Sequence, residues 1–370
     1  IETPSKFLKE QVVVTEYPIV TKPFVVRNHE DRSLEVVLQD SADYLYLISA
    51  QGEILWQDSV GERIVGDLYQ VDFYANGKLQ YFFATPNGLH IIDRNGNDVT
   101  GFPAPFQDSL DVAWVNVIDY DNSKRYRFLV ADTQGRIFLY DKYGNPLEGW
   151  DPLLMDGAFS ASPFHLRVGG RDCMINTTVE GQVNMLTRRG EYYPGFPLRF
   201  ENGINGPVFI QRGTGFNNTL MHVILESGEL IKLNLKGEIL SKKQLYLPGP
   251  ESYFEIVPDV LKNTYVISRQ DFNSVSILDP EGELIFEKEL LFSNKLGLQY
   301  YNFSAGNELY IFTDFQQDFS YIYDGTGQLV NAQPVESDHE VGLIFSEVNN
   351  NYQLYSCYRN QFSVSAFFRK

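Results

Sequence analysis

A chain of 370 residues with 43% hydrophobic and 14% aromatic content has ample material for a packed interior, which excludes a disordered protein. Its net charge of −18, with the acidic residues spread along the whole length, excludes nucleic acid as a partner, because binding phosphates needs clustered Lys and Arg. No apolar run approaches the roughly 20 residues that span a bilayer, and two cysteines are too few for a disulfide scaffold.

The chain opens at Ile1 and not at Met, so it is expected to be the C-terminal part of a longer precursor. From there one pattern recurs seven times: an alternating apolar strand, a short oxygen-bearing side chain, two variable residues, glycine, and a polar residue that opens another strand. In order the copies read YLYLISAQGE, LHIIDRNGN, IFLYDKYGN, VNMLTRRGE, LIKLNLKGE, VSILDPEGE and SYIYDGTGQ. Their glycines are Gly52, Gly96, Gly144, Gly190, Gly237, Gly282 and Gly327, separated by 44, 48, 46, 47, 45 and 45 residues. Three positions earlier stand Ser49, Asp93, Asp141, Thr187, Asn234, Asp279 and Asp324, each able to bond the turn backbone with a side-chain oxygen. Glycine supplies the positive φ that such a hairpin needs.

A second glycine series, Gly88, Gly135, Gly181 and Gly228, marks the preceding hairpin. A third follows the main turn as Gly101-Phe102-Pro103, Gly149-Trp150 and Gly195-Phe196-Pro197. Each unit thus resolves into four strands, which in the third copy are VAWVNVIDYD, YRFLVAD, RIFLYDKYG and the short NPLEGW. After Gly327 the segments EVGLIFSEV, NYQLYSCYR and FSVSAFF match three strands of an eighth unit whose fourth is missing. Residues 7–15, FLKEQVVVT, are placed to supply it, which would remove an exposed edge and tie down both ends of the chain.

The predicted fold is therefore all-β: one β-propeller domain over 1–370, with eight blades of four antiparallel strands closed by an N-terminal strand. Seven blades with a terminal appendage is the alternative. Eight blades put Cys173 and Cys357 on second strands at opposite sides of the ring, too far apart to be bridged.

Little in the sequence announces chemistry. His29, His90, His165, His222 and His339 are scattered without ligand spacing; His90 reads as a structural residue of an alternating strand, whereas His165 and Arg167 alternate along an inner strand and are placed to face the channel. Asp119-Tyr120-Asp121-Asn122-Ser123 is similar to propeller calcium loops, but Ser123 and Lys124 replace the third acidic ligand and its glycine, and Tyr74-Ala75-Asn76-Gly77 and Ser304-Ala305-Gly306-Asn307 read as ordinary hairpins. Trp150, Tyr192 and Tyr193, near third-to-fourth strand turns, are candidate carbohydrate-stacking residues against a background of inter-blade aromatic packing. No catalytic residue, cofactor or metal ligand is assigned.

The repeated strand, D-x-x-G turn and strand in eight units resembles the quinoprotein-like (PQQ-like) propellers, a superfamily of cofactor-dependent dehydrogenases and an outer-membrane assembly scaffold lipoprotein. LQYFFATPNGLHIIDRNGNDVTGFP and VIDYDNSKRYRFLVADTQGRIFLYDKYGNPLEGW also resemble the propeller region of large envelope proteins of Bacteroidetes. The dehydrogenases carry a tryptophan docking motif in nearly every repeat and, in some, an adjacent cysteine pair; this chain has only Trp56, Trp114 and Trp150 and no such pair. The scaffold branch is thus the better analogy. It implies a non-catalytic, monomeric binding or scaffold propeller of the periplasm or cell surface, presenting a loop face to a protein or glycan partner. The alternative is a carbohydrate-active hydrolase or lyase, or a dehydrogenase, with a site at the channel mouth.

Overall fold

The computed structural model describes residues 7–368 except 108, 250, 291–293, 305, 332 and 348. Ala305 of the predicted 304–307 hairpin lies outside the described residues, as do Ile1 and Val348. Every regular element described is a strand, and the strands form eight four-stranded antiparallel sheets. Blades 1 to 7 are built from consecutive strands over 24–59, 65–105, 112–154, 164–199, 209–244, 253–289 and 297–336. Blade 8 takes Gly342–Ser346, Asn351–Tyr358 and Gln361–Phe368, with the N-terminal strand Leu8–Val14 as its outermost member. The chain is an eight-bladed β-propeller, and the seven-bladed alternative falls.

The seven repeated glycines all adopt positive φ, between 77° and 87°. Around Gly96 the turn is held by three kinds of bond. The Gly96 amide donates to the Asp93 carbonyl at 3.1 Å, the Asp93 amide to the Asn97 carbonyl at 2.8 Å, and the Asp93 side chain accepts from the amides of Asn95 and Asn97 at 2.8 and 3.0 Å. A residue with a Cβ there would be strained, and the space is already taken: an added Cβ would lie 3.3 Å from the Trp56 ring.

That contact belongs to a device which joins neighbouring blades. Gln11, Trp56, Trp150 and Lys243, each from the outer part of one blade, donate a side-chain N–H to the carbonyl of Ala50, Arg94, Arg188 and Glu281 in the next blade's turn, at 2.5, 2.7, 2.9 and 2.5 Å. Two tryptophans of the sequence therefore do dock on the neighbouring turn, while Gln and Lys reach the same place elsewhere. Gln11 does so from the closing strand, so the eighth blade meets the first as the first meets the second, the third the fourth and the fifth the sixth.

Blade 3 departs from expectation in its fourth strand. NPLEGW meets the third strand through a bridge between Tyr140 and Pro146, the Leu147 amide on the Leu139 carbonyl at 2.8 Å and the Leu139 amide on the Trp150 carbonyl at 3.0 Å, and turns from Leu147 to Trp150, while the strand proper is the later pair Leu153–Leu154. Gly149 at a φ of 82° and the prolines at 146 and 152, which have no N–H to donate, interrupt the ladder. Cys173 and Cys357 occupy second strands of blades 4 and 8, and both are buried and unpaired.

Candidate functional site

Antiparallel order gives the ring two different faces. One carries the first hairpin of each blade together with the glycine turns; the other carries the second hairpins and the links between blades. First strands line the axis, where the channel widens into cavities of about 530 and 410 Å³ that share Pro207 and Pro258. Lys22, at the entry to blade 1, bridges the two neighbouring blades, to Asp67 of blade 2 at 2.8 Å and to Glu340, at the entry to blade 8, at 3.2 Å. Burial opposes the Lys22 charge, but the two carboxylates outweigh it and hold the ammonium above its usual range. In the smaller cavity, burial pushes Glu255 up to about 7 against the pull of Lys295 and Tyr253.

The most elaborate polar cluster stands where blades 3 and 4 meet. Arg167 and Asp172 face each other across the two-residue Gly169-Gly170 loop of one hairpin. Asp172, 8% exposed, accepts bonds from Arg167 at 3.0 Å, Arg188 at 2.6 Å and His165 Nε2 at 2.8 Å. Burial, helped by Arg188 and Arg167, outweighs Asp172 and lowers the His165 pKa, so the ring is a neutral donor. Tyr120 from blade 3 lies between Arg188, whose guanidinium carbon is 4.0 Å from the ring centre, and the His165 ring at 4.9 Å; its hydroxyl is buried without a partner among the described residues.

Of the residues singled out from sequence, His165 lines the larger cavity as expected, and Arg167 turns to Asp172 and the Tyr120 carbonyl. The carboxylates of the 119–123 loop are engaged within the hairpin. Asp119 accepts the amides of Ser123 and Lys124, and Asp121 accepts the Ser123 hydroxyl and pairs with Arg125 at 3.0 Å. Lys124 pairs with Asp72 of blade 2. Among the described residues no group of three His, Cys, Asp or Glu is placed to hold a metal.

Trp150 must be corrected as a stacking candidate: it is 1% exposed, packed between blades 3 and 4. Tyr192 is exposed, and Tyr193 helps line a depression of about 790 Å³ between blades 4 and 5 on the glycine-turn face. There the Tyr193 and Phe216 rings meet edge to face at 5.4 Å, the Arg171 guanidinium lies 5.4 Å from the Phe216 centre, and Lys236 stands on the far wall. Asp172, Arg188 and Phe216 escaped the sequence reading. The Gly-Gly loop does carry a signal for Arg167 with Asp172, because a two-residue hairpin fixes which residues pair; nothing local signals the other two.

His90 and His222 serve packing. His90 stacks on Phe83 at 4.9 Å and meets the Thr85 hydroxyl at 3.2 Å. His222, 3% exposed, bonds the Tyr265 hydroxyl at 2.7 Å across the blade 5–6 boundary, and burial, with Lys232 adding, pushes its pKa down to about 4. A lowered folded-state pKa contributes stability above about pH 6.5 that is lost as pH falls towards 4, about 3 kcal/mol for this shift. Urea unfolding at pH 7 and pH 4 should show that loss in the native protein and its reduction in His222→Gln; equal losses in the two would sink this assignment.

No protein-family model and no curated protein matches the chain. Solved structures do. BamB from Moraxella catarrhalis aligns over 98% of this chain and 100% of its own, with 14% identity and a TM-score of 0.62. Saccharomyces cerevisiae Sqt1 aligns over 98% and 100%, with 11% identity and a TM-score of 0.68. BBS1N, solved in complex with ARL6DN, aligns over 84% and 94%, with 12% identity and a TM-score of 0.52. At such identities the likeness is one of fold.

Proposed function

We propose that this propeller is a non-catalytic protein-binding platform and that its partner engages the glycine-turn face at blades 4 and 5. The observation that carries this reading is the depression lined by Arg171, Tyr193, Phe216 and Lys236. Arg and aromatic side chains are the residue types enriched where interfaces concentrate their binding energy. Their setting, short hairpins on a stiff ring, lets a surface be specific without disturbing the blades. BBS1N, of the same fold, was solved with a protein partner, which supports the mode of use though not the partner. In this reading the ring works as one domain and as a monomer outside the cytoplasm, in keeping with its resemblance to envelope scaffolds.

Two cations beside an aromatic pair suit an acidic partner. A photo-crosslinking residue at position 216 should give one discrete adduct in cells that make the protein, whereas position 136, on the opposite face, should give none. Arg171→Glu should cut that adduct by about tenfold, the effect of losing one well-placed ionic contact. Equal labelling from both faces would count against the proposal.

A further inference from the structure

The wall of the larger channel cavity holds two cations that have no ion-pair partner among the described residues, and we infer that the cavity binds a small carboxylated sugar. This goes beyond the platform reading and uses different residues. Arg212 and Lys262, from the first hairpins of blades 5 and 6, line the cavity of about 530 Å³, and neither has an ion-pair partner among the described residues. The carboxylates of the same wall are already engaged, Asp67 with Lys22 and Asp119 with the amides of Ser123 and Lys124. Behind His165, Asp172 is shared by Arg167 and Arg188, so that corner is also cationic. In a chain of net charge −18, these two cations, which form no ion pair among the described residues, offer direct charge-assisted contacts to an incoming anion.

The rest of the wall narrows the class of ligand. Away from the cations it is neutral: Asn116, Ser162, Asn176 and Thr177 offer hydrogen-bonding groups, and Tyr69 and Phe164 offer ring surface. Asn176, 3% exposed, has an Nδ2 with no partner among the described residues, an unmade bond that a buried amide does not usually leave. A phosphate or a short dicarboxylate would use the cations and leave the neutral wall idle. A hydroxylated ring bearing one carboxylate uses both, with the acid on Arg212 and Lys262 and the ring against Phe164. The volume lies within the range of small-ligand pockets, which is about 300 to 1,000 Å³.

Titration calorimetry of the full chain at low salt, with glucuronate, glucose and succinate as probes, tests the assignment. Glucuronate is expected to bind one to one and at least about tenfold more tightly than glucose or succinate, one ionic contact being worth that ratio. Raising the salt should weaken it, since the cations sit at the mouth. The double variant Arg212→Gln, Lys262→Gln should lose the preference for glucuronate over glucose while melting at the native temperature. Glucose binding as tightly as glucuronate, no glucuronate binding at millimolar concentration, or an unaltered preference in the folded double variant would each overturn the proposal. Succinate binding as tightly as glucuronate would overturn the sugar assignment. Failure of crosslinking at position 216 would bear on the platform alone.

Discussion

Removal of residues 7–15 is expected to cost about 5 kcal/mol or more and to open the ring, whereas moving the same nine residues to the other end of the chain is expected to leave stability close to native. The strand Leu8–Val14 pairs with Gln361–Phe368, from Leu8 with Ala366 to Val14 with Gln361. Val13, 6% exposed, packs in a cluster that includes Tyr46 and Ile48 of blade 1 and Phe362 and Val364 of blade 8. Phe7 lies 4.5 Å from the Phe367 ring, and Gln11 docks on the first glycine turn. Burial of one valine contributes about 1.5 to 3 kcal/mol, and each net hydrogen bond about 1 kcal/mol. Deletion would also expose the Gln361–Phe368 strand as an edge, a template for association.

The permutant separates the strand's packing from its place in the chain. Because Leu8 faces Ala366, a short glycine-containing loop can join Phe368 to residues 7–15, and the new chain would begin at Glu16. Denaturant unfolding of the three proteins measures the effect. A deletion variant as stable as the native chain would remove the closing strand from the account, and an unfolded permutant would show that the order of the chain matters as well as the contact.

Trp150→Ala is expected to destabilise by about 3 to 5 kcal/mol, the range for a buried large aromatic. Its ring fills the space among Ile118, Leu129, Met174 and Leu186, between blades 3 and 4. Its indole N–H holds the Arg188 carbonyl at 2.9 Å, and the Arg188 side chain in turn reaches Asp172 and covers Tyr120. The substitution therefore leaves a cavity and also loosens one wall of the polar cluster. Trp150→Phe keeps most of the volume and loses the bond, so its cost should fall to about 1 to 2 kcal/mol. Chemical denaturation gives both values, and a loss under about 1.5 kcal/mol for the alanine variant would mean that the blade boundary repacks around the gap.

The two experiments test features with different origins. The closing strand was legible because its evidence is local and periodic: three C-terminal strands lack a fourth, and FLKEQVVVT has the alternation to be one. The Trp150 contact was not, since the ring looked like an exposed aromatic near a turn and proved to be core. The turn preceding it was correctly read, but proline and glycine in 145–152 delay the fourth strand and fold the tryptophan inward. The calcium-like loop is instructive in the same way. Its carboxylates are the expected residues, and the hairpin's own amides and Arg125 take them up.

By itself the sequence determined the repeat, the glycine turns, the four-stranded unit and the way the ring closes, because these follow from side-chain alternation and φ preferences acting within about ten residues. Only the tertiary structure decided which charges meet. Arg188 reaches Asp172 from the glycine turn of blade 4, Tyr120 arrives from blade 3, and Arg212 and Lys262 reach one cavity from blades 5 and 6 with no ion-pair partner among the described residues. Those encounters depend on the curvature of the ring, which brings residues about one repeat or more apart to a common axis, and curvature is set by packing between blades that no local pattern records.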